Sequence, residues 1–443
     1  MLKRILAIAV LAAAPLQAEA FCGFYVGKAD ASLFNEASAV IMARDGKRTT
    51  LTMQNDYRGE LTEFALVVPV PVVLKQGDVK VVEKKIFDRI DAYSSPRLAE
   101  YHDPDPCAPL VMPSPPAPTM AGRSDRAAPQ GVPALGVKVE SSFAVGEYDI
   151  VVLSAEQSDG LETWLTQNGY RIPAGAGRAL RPYVRQNMKF FVAKVNLAAQ
   201  GKTGYQMLRP LQFSFESEKF MLPMRLGMLN ASGPQDLIVY AMTKTGRVEA
   251  SNYRTVKLPA NVDLPVYVRD SKVFADFYKA MFAKQALDEG HRAVFTEYVW
   301  DMRWCDPCAD QPLTVDELRT AGVSWLAEPA VTPTTPPGPP GPPGNVRRPP
   351  PVNPTPAVTL TRLHLRYTPQ TFPEDLMLMV TADRENFQTR YVLRHPWTGR
   401  RDACPQAATY FKELARREED EAQILANLTG WPIADIRAKL PKR

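Results

Sequence analysis

Residues 333–356 read PTTPPGPPGPPGNVRRPPPVNPTP, and 12 of the chain's 41 prolines fall in this one stretch. Proline has no backbone N–H and a fixed φ, so the stretch is excluded from both helix and sheet. An extended, polyproline-like spacer is expected instead. Its two Gly-Pro-Pro triplets are too few for a triple helix. A weaker proline-rich run extends from Pro104 to about Pro133. These breaks predict a leader at 1–20, an N-terminal α+β block at 21–103, a proline-rich loop at 104–134 and a central α+β block at 135–328. A spacer at 329–357 then leads to a C-terminal hairpin and helix block at 358–443. With a 45% hydrophobic fraction, a chain of this length has enough apolar surface for two or three cores.

Periodicity within the blocks predicts an α+β fold, with mostly antiparallel strands and helices packed on them. Asp45-Gly46 between ASAVIMAR and KRTTLTMQ is a two-residue hairpin turn. Residues 64–73 read as a buried strand with its prolines at an edge or exit. Leu211, Phe213 and Phe215 alternate strictly, as in a strand with one apolar face. Residues 220–229 and 236–243 continue the β pattern. Helices are expected over 82–93, from Ser158 as N-cap, over 271–289 and over 405–428. Leu376–Arg394 reads as a hairpin, and the charges from Arg416 to Glu421 as the wet face of the last helix. His364 alternates with Arg362 and Arg366, which assigns it to a polar strand face.

The N-terminus carries a short basic segment, an apolar run from Ile5 to Leu16 and Ala18-Glu19-Ala20. This is the pattern of a cleaved signal peptide, too short in its apolar part to span a bilayer. An exported protein, periplasmic or secreted, is expected. Phe21 precedes Cys22 and is not the small residue that lipidation of that cysteine requires. The longest later apolar run, Phe64–Leu74, is interrupted by Pro69 and Pro71, so no transmembrane span is expected in the mature chain. Removing residues 1–20 takes the charge from +5 to +4 (51 basic minus 47 acidic). That near balance gives nucleic acid no basic face to bind.

Five cysteines remain after cleavage: Cys22, Cys107, Cys305, Cys308 and Cys404. All five are disulfide or redox candidates. WCDPC (304–308) resembles a redox dithiol, but Pro312 blocks a helix starting at Cys305, so no helix dipole activates a thiolate there. The capping box Thr314-Val-Asp-Glu317 marks the true helix start, and Gly322 its end. A local Cys305–Cys308 bridge is the first expectation, and pairing with Cys107, Cys22 or Cys404 the second. In YHDPDPC (101–107), His102, Asp103, Asp105 and Cys107 are all ligand types, yet Pro104 and Pro106 stop them converging on one ion. The sequence has no metal-binding histidine pair, serine-hydrolase elbow or phosphate loop. Accordingly, no catalytic residue, metal or cofactor is assigned. The glycine-rich stretch at 173–186 reads as a loop before a helix.

Three long motifs then carry a resemblance: CGFYVGKADASLFNEASAVIMARDGKRTTLTMQNDYRGELTEFALVVPVPVVL (22–74), IDAYSSPRLAEYHDPDPC (90–107) and WDMRWCDPCADQPLT (300–314). Together they resemble a bacterial family of exported proteins, domain of unknown function 2330, over a stretch from Cys22 to Trp431. The proline-rich insert resembles a local embellishment of that family. The resemblance implies export and no established activity, and it carries over no catalytic residue. The expected function is a non-enzymatic module that binds a protein or cell-envelope partner and is stabilised by disulfides. Thiol–disulfide exchange at Cys305 and Cys308, or a hydrolase or transferase with scattered residues, is the alternative. Intact mass of the exported protein checks the processing: a chain beginning at Phe21 is expected, and a diacylglyceryl group on Cys22 would contradict it.

Overall fold

The computed structural model describes residues 24–27, 34–35, 38–54, 57–58, 64–108, 138–168, 175–196, 208–230, 233–304, 306, 311–326 and 356–441. The leader, Cys22, Cys305, Cys308 and most of both proline-rich segments lie outside these residues. The fold is α+β, with mostly antiparallel sheets.

Two sheets pack face to face. The larger has nine strands, eight of them in the order Arg254–Lys257, Ala293–Asp301, Thr359–Tyr367, Gln235–Thr243, Ser38–Asp45, Arg48–Met53, Leu211–Glu216 and Val79–Val81. The short strand Phe387–Gln388 pairs with Ala293–Asp301. Only two of the pairings in this sheet are parallel. Its strands come from all three stretches that the proline-rich segments separate. The smaller sheet is fully antiparallel, in the order Phe24–Gly27, Phe64–Val70, Lys189–Val195, Tyr148–Ser154 and Lys138–Val145.

Alternation along the strands builds the core between the sheets. Val40, Met42, Leu51, Phe213, Val239 and Leu363 face it from the larger sheet, and Leu66, Val68, Ile150 and Phe191 from the smaller. Each is essentially sealed from solvent, and burial of one such side chain contributes about 1.5–3 kcal/mol. The outer face of the smaller sheet is covered by the helices Ser158–Gln167 and Ala176–Arg185, through Leu161, Leu165, Leu180 and Tyr183. On the outer face of the larger sheet, the helix Lys85–Ser94 packs Ile86, Phe87, Ile90 and Tyr93. Beside it the helix Ser271–Asp288 packs Phe277, Met281 and Phe282. The layers therefore run helix, sheet, sheet, helix.

The local signals hold where they are strongest. The expected hairpin forms, with its two-residue turn at Gly46-Lys47, one residue beyond the expected Asp45-Gly46: Asp45 pairs with Arg48 and Gly46 takes φ +55°. Thr314 and Glu317 form the capping box of Val315–Thr320, and Pro405 opens the helix Pro405–Thr429. Pro69 lies beyond the reach of the neighbouring strand Phe24–Gly27, whose register stops at Val67, so its missing donor leaves no gap in that ladder.

Other expectations are corrected by tertiary pairing. Leu376–Val380 and Arg390–His395 form no hairpin with each other. The first joins Met221–Leu222 and Val248–Ala250. The second lies between Val262–Leu264 and Arg97–His102 in a parallel three-stranded sheet. Beyond Leu222, the expected strand over 220–229 becomes a 3-10 turn, Arg225–Asn230. Ser158 is the first helical residue and Gln157 the cap. The run Arg416–Glu421 is not uniformly wet: Glu421 is buried, and its burial outweighs the pull of Arg417 and pushes its carboxyl up to about 7.

A disulfide joins Cys107 to Cys404, 297 residues apart in sequence and 5.8 Å apart at Cα. Cys404 is the N-cap residue of the helix Pro405–Thr429. Nearby, Asp103 accepts hydrogen bonds from Tyr410 Oη (2.6 Å) and from both Arg417 Nη atoms (3.1 and 2.8 Å). The bridge and this carboxylate thus tie the C-terminal helix to the exit of the strand Arg97–His102. Cys107→Ser together with Cys404→Ser is expected to cost about 2–4 kcal/mol. Denaturant unfolding without reductant reads this as a lowered midpoint. An unchanged midpoint would show that the non-covalent contacts suffice.

Candidate functional site

A buried charge cluster and two clefts surround the middle strands of the larger sheet. The cluster is built on the strand Ala293–Asp301. Its pairing with Thr359–Tyr367 slips between Thr296 and Tyr298, leaving Glu297 as the extra residue of a β-bulge. A bulge re-aims side chains and shifts the alternation. Phe295 faces the outer helices before it and Tyr298 and Trp300 after it. Glu297 points into the same layer with its side chain 0% exposed.

Three cations, two further carboxylates and two phenols surround Glu297. Arg362 Nε donates to Glu297 Oε2 at 2.5 Å, and Arg362 Nη1 donates to Asp91 Oδ1 at 2.6 Å. Tyr240 Oη donates to the same Asp91 oxygen at 2.7 Å. His364 Nδ1 lies 2.7 Å from Glu297 Oε1, and Tyr278 donates its hydroxyl to that oxygen. His364 Nε2 is 3.6 Å from Asp236 Oδ1, an ion-pair separation too long for a hydrogen bond. Arg366 holds Asp236 through two bonds of 2.8 and 2.7 Å. The Phe282 ring lies flat on the imidazole, with centroids 3.8 Å apart.

Burial drives the Glu297 carboxyl up, but Arg362 and His364 prevail and hold it at about 2. Asp236 is held at about 2 against burial by His364 and Arg366. Burial lowers His364, and Glu297 and Asp236 more than reverse this, so its imidazole is held above its ordinary value. With His364 protonated, three cations balance Asp91, Asp236 and Glu297. His364 therefore occupies a polar strand face, as its alternation indicates, but one closed by Tyr278 and Phe282. A catalytic group must reach its substrate. The enclosed Glu297 carboxylate is placed to hold two helices on the sheet.

The clefts lie on opposite faces of the neighbouring strands Arg48–Met53 and Leu211–Glu216. Between the sheets, Leu51, Phe213 and Phe215 face Pro69 and Met188 across a cavity of about 260 Å³. Lys219 and Gln186 join at its rim, at 2.7 Å. On the outer face, Arg48, Thr50, Gln212 and Ser214 border a polar cleft of about 410 Å³. The larger sheet is thus covered by helices over part of its outer face and open here.

The cysteine and histidine candidates are now separated. Cys107 and Cys404 are bonded to each other, which withdraws both from pairing with Cys305 or Cys308. Asp103 is taken by Tyr410 and Arg417, Asp105 Oδ1 accepts from Cys107 N (2.8 Å), and the His102 ring stacks on His395 at 4.6 Å. Within WCDPC the described residues are Trp304, which is exposed, and Asp306, which sequence reading passed over. Asp306 is buried, accepts from Tyr298 Oη at 2.8 Å and from Gln388 Nε2 at 3.2 Å. A carboxylate between Cys305 and Pro307 gives no sequence signal for such burial. The glycine-rich stretch leads into the helix Ala176–Arg185, with Gly175 in a left-handed conformation at its cap.

A family model described as an uncharacterized protein conserved in bacteria, domain of unknown function 2330, matches residues 16–379. The chain belongs to this family. The matched stretch holds both clefts and the whole charge cluster, whereas the helix Pro405–Thr429 and Cys404 lie beyond it. No curated protein and no solved structure matches the chain. Among the described residues, no helix is long and apolar enough to cross a membrane.

Removing Glu297 takes from the buried Arg362 and His364 the one fully enclosed partner they share, and breaking a buried ion pair costs about 3–5 kcal/mol. Glu297→Gln is expected to destabilise the fold by that amount. Because Glu297 and Asp236 are depressed, their stabilisation is complete above their unfolded values and is lost as pH falls toward 2. The raised His364 contributes fully below its unfolded value and loses this as pH rises through its folded one. Unfolding midpoints across pH 2–9 should therefore peak in the mildly acidic range for the wild type and flatten in Glu297→Gln. Equal pH profiles for the two proteins would contradict the assignment.

Proposed function

We propose that this is an exported, non-enzymatic binding module of the bacterial cell envelope. The observation that carries the binding reading is the apolar cleft between the sheets. Apolar walls with a few polar groups at the mouth are the ordinary form of a ligand site. About 260 Å³ suits one apolar group of a partner, a ring or a short acyl chain, rather than a whole drug-sized molecule. Lys219, Gln186 and Glu218 then orient what projects from the mouth.

Export is supported by the leader pattern and by the Cys107–Cys404 bridge, since such bonds persist in oxidising compartments. The same environment favours a bridge between Cys305 and Cys308. Asp306 between them is anchored inward by Tyr298 and Gln388, an arrangement that favours a structural turn over a mobile redox centre. Three cysteines remain once Cys107 and Cys404 are joined, so one of Cys22, Cys305 and Cys308 is left unpaired within the chain.

Fluorescence titration with the neutral apolar probe N-phenyl-1-naphthylamine tests the cleft. Saturable binding to the wild type is expected, and Met221→Lys at the cleft wall should weaken it about tenfold, the effect of losing about 1.4 kcal/mol, while the thermal midpoint stays close to wild type. Equal binding by both proteins, or none by the wild type, would remove the cleft as the site.

A further inference from the structure

The polar cleft on the outer face of the same strands is independent of the apolar one, and its chemistry is different. Register places Lys80 opposite Gln212, Thr50 opposite Ser214, and Arg48 opposite Glu216. Arg48 and Lys80 are exposed, and among the described residues neither is paired with a carboxylate. Arg319 adds a third cation from the helix Val315–Thr320, where Asp316 steadies it at 3.3 Å. Against these stand Asp78, whose Oδ2 accepts from Lys75 N (2.9 Å), and Glu216 at the far end. Of the described residues that border the cleft itself, three are cationic and only Asp78 is acidic, so the border is net positive.

The floor is made of hydroxyls. Thr50 Oγ1 and Ser214 Oγ lie 2.8 Å apart, and either is able to donate to the other. Two hydroxyls sharing one such bond retain one proton for a further acceptor. Gln212 is fixed beside them, its Nε2 donating to Thr52 Oγ1 (2.7 Å) and to Thr320 O (2.9 Å). One wall is backbone. Gly322 has φ +100°, and a Cβ there would come within 2.5 Å of Thr50 Cγ2. Only glycine lets the chain descend so close to the sheet. Ser324 continues that wall.

The geometry points to a binding site for an anionic saccharide, a sugar acid or sugar phosphate. Arg48, Lys80, Arg319 and the spare hydroxyl proton take its oxyanion, because cationic donors bond an oxyanion more strongly than a neutral acceptor. A volume of about 410 Å³ is far larger than an inorganic oxyanion. The hydroxyl and glycine surfaces that border the remaining space suit a hydroxylated body rather than an apolar one.

Isothermal titration calorimetry on the full mature chain tests this. The probes are D-glucuronate, D-galacturonate and D-glucose 6-phosphate, with D-glucose and inorganic phosphate as controls. At least one anionic sugar should bind saturably, with both controls about tenfold weaker or more and with affinity falling as salt rises. The carboxylate and phosphate probes decide between the two head groups. Arg48→Ala with Lys80→Ala, both exposed and expected to fold normally, should weaken binding about tenfold or more without moving the thermal midpoint. Met221→Lys should leave it unchanged, which separates this site from the apolar cleft. Failure of all three anionic sugars, equal binding by either control, or indifference to the double substitution would overturn the assignment.

Discussion

Glu297 is a fully enclosed carboxylate in the outer layer of the larger sheet, and the arrangement around it follows from that. A buried charge is tolerated only when opposite charges and hydrogen bonds replace the water it has lost. Arg362 and His364 supply this from the adjacent strand, and Tyr278 from the helix above. Those partners in turn engage Asp91 on the helix Lys85–Ser94 and Asp236 on the strand Gln235–Thr243. Two helices and three strands are thereby set in one register. Apolar packing alone is less directional. The bulge at Glu297 lets one strand present Phe295 to one helix cluster and Tyr298 to the other.

The strands Arg48–Met53 and Leu211–Glu216 carry both proposed binding features by simple alternation. Leu51, Phe213 and Phe215 face the sandwich interior, and Thr50, Gln212 and Ser214 face outward. The two faces have opposite character because a strand's neighbours point to opposite sides. One side closes on apolar groups next to the second sheet. The other stays open because the helix Lys85–Ser94 and the helix Val315–Thr320 do not extend over it, and the backbone at Gly322 descends to form its wall.

The chain's long excursions are closed by a few strong local ties. The larger sheet draws strands from either side of both proline-rich segments. Closing such long loops costs little more than closing shorter ones, because the entropy grows only logarithmically with length. What fixes the ends is specific: the Cys107–Cys404 bridge, Asp103 with Tyr410 and Arg417, and Asp306 with Tyr298 and Gln388.

Sequence alone determined the features that depend on neighbours along the chain. The hairpin turn at Gly46, the capping box at Thr314 and Glu317, proline at the start of the last helix, and the alternation of Leu211, Phe213 and Phe215 are local, and each stands where its residue types require. The family resemblance rested on long contiguous motifs and was equally legible. Tertiary structure decided what depends on partners far away. Leu376–Val380 and Arg390–His395 look like a hairpin but pair elsewhere, because strand pairing is set by the best available edge and not by sequence distance. Arg362, His364 and Glu421 read as wet because they are charged; counter-ions brought by remote segments allow the first two to be buried, while packing buries Glu421 with Arg417 of its own helix beside it. Asp306 and the two clefts were invisible for the same reason: a cavity or a buried carboxylate is defined by the surfaces that meet around it, and the chain supplies these from separate segments, more than a hundred residues apart for the clefts and 82 for Asp306 and Gln388.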